Sequence, residues 1–472
     1  MVIIMKTFSL RFVLSATSGS LTRACYNMKL SGISTDSRTV EPGCLYLALR
    51  GDRFDGHDYI SAAFDKGALA AVAERVPANE DRPVMVVKDT HQALLDLAAA
   101  YRRRFDIPVV GVTGSVGKTS TKEMICAVLS TRYRTLKNEG NRNNEIGMPL
   151  SVFNLEDTHQ AAVFEMGMSA FGEIARMTRV AVPQVAVITN IGISHIEKLG
   201  SRENILRAKL EILEGMPPDG TLIYNGDDEL LCGADKQGLR VRTLCYGIDN
   251  PGCTARAANL RIDEAGTVFD LLYAGKSYPA WVPASGRHQV YNALAAFLAG
   301  VCLGVEPMRA VEGLRRYRTT GMRQRIEEIG GITFVEDCYN ASPDSMRAAF
   351  GVLGTVAKGR KVAVLSDMLE LGDHAREAHL AAGRLAAESG VDMLLCYGDN
   401  ARFYCEGFRQ AKEGADCRHF DTQAELSAAV SRELGSGDTV LFKASRGMKL
   451  EDTVADAARA ARENGGRVEK GK

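Results

Sequence analysis

The segment Val109-Val110-Gly111-Val112-Thr113-Gly114-Ser115-Val116-Gly117-Lys118-Thr119-Ser120 runs an apolar strand directly into a glycine-rich turn that ends in Gly-Lys-Thr. A chain carrying it must place strand, tight loop and helix in succession, with the helix N-terminus open to an anion. Glycines let several backbone N–H groups converge on phosphate oxygens, and a helix starting near Thr119 aims its positive end at them. Lys118 is placed to reach the β- and γ-phosphates of a nucleotide and the Thr119 hydroxyl to reach a magnesium ion. Gly114, Ser115, Gly117 and Ser120 complete the cradle. The loop is a variant, because Val112 stands where the general pattern has its first glycine and Gly111 lies one residue earlier.

Length sets the frame around this loop. With 472 residues the prior is about three domains, and 46% hydrophobic with 25% charged residues is ordinary for a globular protein. The 58 basic and 58 acidic side chains cancel, so no global field argues for nucleic acid or an anionic membrane surface. Arg102-Arg103-Arg104 closes an apolar helical stretch and reads as a solvated helix end. The 11 cysteines include no Cys-x-x-Cys pair, so neither a zinc site nor a disulfide framework is expected, and a reducing cytosol fits best. Lys6 and Arg11 interrupt the apolar N-terminal run, which reads as a first strand and helix rather than a signal peptide; Met5 is an alternative start to Met1. No window approaches the ~20 apolar residues of a membrane span.

Alternation of apolar runs predicts three units. Residues 1–105 read as a small mixed α/β domain; 106–320 as a central P-loop domain with a parallel sheet covered by helices; 321–472 as a second doubly wound, Rossmann-like unit with a polar, frayed tail from Asn464. The whole is α/β. If Lys118 and Thr119 hold a nucleotide, a carboxylate at another strand end of the same sheet should hold magnesium, and Phe164-Glu165-Met166-Gly167 supplies Glu165; the alternative is an exposed strand-end glutamate. A further strand end, Val187 to His195, delivers His195 to the same rim. Lys209 lies on the helical line Ile205, Lys209, Leu213, so it is either a stem snorkelling to water or a buried amine with a lowered pKa. Asn141, Asn143 and Asn144 cluster where either turn chemistry or a polar ligand accounts for them.

Gly-Val-Thr-Gly-Ser-x-Gly-Lys-Thr-Ser, Asn141-x-Asn143-Asn144-x-Ile-Gly-x-Pro-Leu150, Phe164-Glu-Met-Gly167 and Asn190-Ile-Gly-x-x-His195, in this order, resemble the Mur ligase family of ATP-dependent amide ligases. Ser34-Thr-Asp-Ser-Arg38, Gly51-Asp-Arg-Phe-Asp-Gly-His57, Gly286-Arg-His288 to Asn292, Asp337-Cys-Tyr-Asn340, Ser366-Asp-Met-Leu-Glu-Leu-Gly372 and Lys443-Ala-Ser-Arg446 extend the resemblance over essentially the full length. It implies that Lys118 binds ATP phosphates, that Thr119 and Glu165 hold one magnesium ion, and that His195 with a carbamylated Lys209 holds a second. It implies adenine contacts from Asn292 and His288, with Arg323 and Asp337 reaching phosphate and ribose from the third domain. Ser37, Arg38, Asp55, Gly56 and His57 would hold the UDP-sugar end of a UDP-N-acetylmuramoyl-tripeptide, and Tyr339, Asn340, Ser445 and Arg446 the incoming D-alanyl-D-alanine. Three residues depart from the family pattern: Gln289, Ser342 and Ala444.

The reaction so implied is ATP-dependent amide ligation through an acyl phosphate in cytoplasmic cell-wall precursor synthesis, by a monomer with no nucleic-acid or membrane partner. A neighbouring specificity within the family would change the first and third domains, and Asp337-x-Tyr339-Asn340 speaks against it. A GTPase-like switch would want an Asn-Lys-x-Asp motif, which the chain lacks.

Overall fold

In a computed structural model that describes residues 3–51 and 54–469, the strands form three sheets. Met1, and Asp52 and Arg53 of the Gly51–His57 segment, lie outside the described residues.

The first sheet contains β1 (Ile3–Ser9), β2 (Ser20–Leu21), β3 (Lys29–Ser34), β4 (Cys44–Leu47), β5 (Ala70–Ala73) and β6 (Val84–Val86) in the order β1-β3-β4-β5-β6-β2. Its centre, β3 to β6, is parallel, and β1 and β2 close the edges antiparallel. β4 and β5 are buried at every position, the pattern of strands covered on both faces.

The second sheet contains β7 (Val109–Thr113), β8 (Thr135–Lys137), β9 (Ala161–Glu165), β10 (Val185–Ile188), β11 (Thr221–Asn225), β12 (Arg242–Gly247), β13 (Ala255–Asp263), β14 (Gly266–Tyr273) and β15 (Lys276–Val282). The order β15-β14-β13-β12-β11-β10-β7-β9-β8 puts β7 between β10 and β9. Chain direction across the sheet reverses at β7, which opens a crevice at its C-terminal end. The parallel core matches the alternation in the sequence. Beyond β13 the sheet turns antiparallel, an extension that sequence alternation did not reveal, because β13 reads as half polar and is half solvated.

The third sheet contains β16 (Arg325–Ile329), β17 (Ile332–Asp337), β18 (Lys361–Ser366), β19 (Met393–Tyr397), β20 (Asp416–Phe420) and β21 (Thr439–Lys443), ordered β16-β17-β21-β18-β19-β20 and parallel apart from the β16–β17 pair. The last helix runs Glu451–Glu469, so the tail is helical where the sequence reading had it fray; 470–472 lie outside the described residues.

Two further expectations are corrected. Arg102 is 5% exposed rather than solvated: its guanidinium donates to the carbonyls of Phe105 (2.6 Å), Ile107 (2.8 Å) and Ala181 (3.2 Å), tying the helix Thr90–Arg102 to the second unit. Arg103 and Arg104 are exposed as expected. Cys405 and Cys417 form a disulfide with Cα atoms 5.5 Å apart, and the buried Cys396 Sγ lies 3.7 Å from that of Cys405. The helix Arg402–Ala411 folds back beside β20 and brings the two together, a convergence that sequence spacing does not show.

One apolar cluster extends from Phe8 and Tyr101 through Phe153 and Phe164 to Phe350 and Tyr404, so the three units share buried surface. No helix among the described residues is long and apolar enough to cross a membrane.

Candidate active site

The C-terminal ends of the second and third sheets face each other across a cleft of ≈ 560 Å³. On the central side the P-loop is pinned by the segment leaving β10. Ser115 N–H donates to the Asn190 carbonyl (3.0 Å), Val116 N–H to Asn190 Oδ1 (3.0 Å), and Thr189 Oγ1 to the Val116 carbonyl (2.6 Å). Two positions need glycine. Gly114 has φ +147°, and a Cβ there would stand 1.8 Å from Thr189 Oγ1; Gly117, φ +84°, caps the helix Lys118–Leu129 with Asn292 Oδ1 2.8 Å from where its Cβ would be.

Lys118 donates to the Gly114 (2.8 Å) and Ser115 (3.2 Å) carbonyls of its own loop, and burial draws its ammonium below the usual lysine range. Thr119 Oγ1 donates to Glu165 Oε2 at 2.7 Å. Glu165 is 2% exposed, which excludes the solvated strand-end alternative. Asn143 Nδ2 donates to its Oε1 (2.8 Å), and Asn138 takes its backbone N–H (2.9 Å) and gives to its carbonyl (3.0 Å). Behind it the fully buried Lys122 donates to the Asn138 carbonyl (2.7 Å) and lies 3.8 Å from Glu165 Oε2 and 3.2 Å from Glu123. Of the asparagine cluster, Asn144 does turn work, capping the Ile146 and Gly147 N–H groups, while Asn143 serves the carboxylate.

On the side of the helix Arg287–Cys302 a polar relay runs Thr121 to Asn292 (3.0 Å), Asn292 to Gln289 (3.1 Å) and Gln289 to Gln324 (2.8 Å), and Gln324 Oε1 also meets His288 Nε2 (3.0 Å). Gln289, a departure from the family pattern, is therefore the link between Asn292 and the segment joining the second and third units. Burial pulls His288 below the usual imidazole range.

From the third unit, Asp337 at the end of β17 and Lys443 at the end of β21 are register partners joined at 2.6 Å. Arg323 lies 3.5 Å over the Tyr339 ring, Ser445 Oγ accepts the Leu369 N–H (2.9 Å), and Arg446 pairs with Glu451 (2.9 Å). Ala444 is fully buried with φ outside the positive region, so its methyl is tolerated; Ser342 caps the helix Pro343–Val356 with Ser345.

The cleft thus gathers Ser115, Gly117, Lys118, Thr119, Ser120, Glu165, His195, Asn292, Arg323, Asp337, Tyr339, Asn340, Ser445 and Arg446. It does not include Gly114, which supports the loop from behind, or Lys209, which is 2% exposed in the helix Arg202–Leu210. That burial decides against a snorkelling stem. Desolvation first, and Lys118 second, hold the Lys209 amine well below the ordinary lysine range.

The predicted acceptor residues sit in the first unit, apart from the cleft. Asp36, paired bidentately with Arg38, and Thr35 line a pocket of ≈ 170 Å³ with Arg142 and Leu150. His57 is 3% exposed, with Nδ1 on Asp55 (2.6 Å) and Nε2 accepting the Glu74 N–H (2.9 Å), so it holds the loop and has no ring nitrogen left for a ligand. Hydrogen bonds from His57 and Arg75 keep Asp55 below the usual carboxylate range, and the tight approach of Gly56 to Leu49 leaves no room for a Cβ. Sequence reasoning missed Lys122, Asn138 and Glu370. Glu370 Oε2 lies 2.6 Å from His195 Nδ1, and that bond holds its carboxyl below the ordinary glutamate range.

Residues 112–300 match the Mur ligase middle domain, 323–446 the Mur ligase glutamate ligase domain, and 29–102 the Mur ligase family catalytic domain. This chain belongs to the Mur ligase family. It is 42% identical over 431 residues to the UDP-N-acetylmuramoyl-tripeptide–D-alanyl-D-alanine ligase of Bacillus subtilis, covering 90% of this chain and 93% of that Mur ligase. The Escherichia coli protein of the same name is 34% identical over 93% of this chain and 95% of its own length. Among solved Mur ligases, MurF of Acinetobacter baumannii superposes with TM-score 0.90 at 32% identity, covering 97% of this chain and 100% of that one. MurF of Thermotoga maritima in complex with ADP gives TM-score 0.82 at 29% identity, over 91% and 98%.

Proposed function

We propose that this Mur ligase joins D-alanyl-D-alanine to UDP-N-acetylmuramoyl-tripeptide, with ATP activating the tripeptide's terminal carboxylate. The observation that carries the reading is the full-length kinship to ligases of that name, on a cleft whose phosphate loop, carboxylate and third-unit residues converge. We assign acceptor binding to residues 1–105, nucleotide binding to 106–320 and dipeptide binding to 321–472. The substrates, ATP and a UDP-activated sugar, place the reaction in the cytoplasm. A single chain carries the whole cleft.

A carboxylate does not accept an amine at neutral pH. Transfer of ATP's γ-phosphoryl to the acceptor carboxylate forms the acyl–phosphate bond and releases ADP. The dipeptide's neutral amine then attacks the acyl carbon, phosphate leaves, and the amine's proton is lost to solvent or a base. Lys118 must exchange its loop carbonyls for phosphate oxygens, which turns a self-satisfied ammonium into a charge clamp. Thr119 Oγ1 and the Glu165 carboxylate form an adjacent pair of hard oxygens, a donor set that fits magnesium. Among the described residues no group of three or more His, Cys, Asp or Glu forms a metal cage, as suits an ion completed by phosphates and water. When bound there, magnesium neutralises charge developing on the transferred group. Gln289 and Asn292 orient the base end of the nucleotide, and Arg323 and Asp337 meet it from the opposite wall. Sheet ends facing one another across the cleft let domain closure exclude water from the acyl phosphate.

For Lys209 we propose carbamylation: the buried amine would take up carbon dioxide with loss of a proton, and the carbamate with His195 would supply donors for a second metal. One assay tests both readings. Phosphate release from MgATP should require both UDP-muramoyl-tripeptide and D-alanyl-D-alanine; Lys209→Ala should abolish it, and short-chain carboxylates should partly restore it. Release independent of both substrates refutes the ligase reading, and an unimpaired Lys209→Ala refutes the carbamate.

A further inference from the structure

We infer that Glu370 is a positioning residue for His195, reaching from the third unit across the cleft to fix the imidazole by its Nδ1 so that Nε2 is the nitrogen left for the reaction centre. The inference rests on the proposed function for the job done at Nε2, but not for the contact itself.

Three observations carry it. The Nδ1–Oε2 distance is 2.6 Å, an ion-pair contact between the two units, and a carboxylate oxygen only accepts, so a hydrogen bond there requires the proton on Nδ1. His195 Nε2 has no partner among the described residues, and the ring lines the cleft. Both backbones are left-handed at φ +63°, a region that non-glycine residues occupy rarely and keep where surrounding structure enforces it.

The ground beside the contact is tight as well. Gly372, two residues beyond Glu370 at φ +52°, approaches the helix Ile196–Leu199 so closely that a Cβ would stand 3.0 Å from Glu197 Cγ. A histidine that offers one nitrogen to a metal or a reacting group commonly gives its other N–H to a carboxylate, which sets tautomer and ring angle. Here the two partners belong to different units, so the imidazole is fixed only when the third unit is seated on the second. The orientation of His195 thus reports closure to the reaction centre.

Glu370 is 60% exposed at its side chain, so its variants should fold. The kinetic test is a double-mutant cycle on kcat and on KM for ATP, using Glu370→Ala, Glu370→Gln, His195→Ala and the double alanine variant. Glu370→Ala should lower kcat by ~10- to 100-fold with KM for ATP little changed, the usual cost of removing such a partner. Glu370→Gln, whose amide oxygen still accepts from Nδ1, should recover most of it. The double variant should be no slower than His195→Ala. Multiplying losses in the double variant, or a Gln variant as poor as Ala, would overturn the inference.

The second arm needs no turnover: the ring tautomer of His195, read from nitrogen-15 shifts of labelled imidazoles and assigned with His195→Ala. The wild-type ring should be held as Nδ1–H and should relax towards Nε2–H in Glu370→Ala. An identical tautomer in both chains refutes the contact, whereas inactivity on the named substrates with the tautomer shift intact refutes only the reading of function.

Discussion

Glu165 shows how much of one candidate-site side chain a sequence displays. Its place at an apolar strand end next to a phosphate loop was legible, because strand-end geometry is local. The apparatus holding it was not: Lys122 reads as one more helix cation, yet it is fully buried between Glu123 and Glu165 and holds the Asn138 carbonyl. Buried carboxylates and the ammonium between them are stable only together. Lys137 also pairs with Glu123, so loss of Lys122 falls chiefly on Glu165. Lys122→Met should therefore destabilise the chain by about 3–5 kcal/mol, the cost of leaving a buried charge uncompensated. Equilibrium urea unfolding measures this, and added magnesium should restore part of the loss by supplying the missing charge. A loss under 1 kcal/mol would mean that water reaches Glu165. His57 is the opposite case, a loop histidine that motif reasoning assigned to a ligand and that packing spends on Asp55 and Glu74.

Elements were legible in proportion to how fully they are buried. The central parallel strands are continuous apolar runs and stood out. β13, β16 and β20 are half solvated, with polar residues on their open faces, and alternation so broken does not announce a strand. Local polar clasps hold such modest elements in place. In the first unit Arg82 bridges Asp65 (2.7 Å) at the end of the helix Ile60–Asp65 to Glu80 (2.6 Å) in the β5–β6 connection, and stacks on Phe64. The Arg82 hydrogen bond holds Glu80 down to about 2 from 4.5. A depressed carboxyl contributes stability that is fully present above its unfolded pKa and lost as pH falls through the folded one. The stability difference between wild type and Arg82→Gln should thus be largest above pH 4.5 and shrink towards pH 2. Urea midpoints across that window check it; a difference that stays constant with pH would assign the effect to the Phe64 stacking instead.

At the scale of the whole molecule the two joints differ in kind. The first and second units meet through the helix Thr90–Arg102, where Arg102 closes on three carbonyls and Tyr101 donates to the Leu155 carbonyl (2.8 Å) within apolar packing. Such a joint has one arrangement, because any shift leaves a guanidinium and several carbonyls unpaired in a dry place. The second and third units also share part of that apolar cluster, but they face each other across the open cleft, beside which His195–Glu370, the Gln324 relay and the exposed Lys358–Glu264 pair (2.8 Å) span the gap. Gln324 sits in the connecting segment with φ +50°, where a small backbone change swings a whole unit. Hydrogen exchange with and without MgADP and the acceptor should therefore show new protection at 190–195, 321–324 and 366–372, and none along 90–102. Equal change at both joints would mean that the three units move together, and that seating the third unit is not what assembles the cleft. The sequence held the parts of both joints but not this difference, which depends on whether a cation is buried against carbonyls or left spanning a gap.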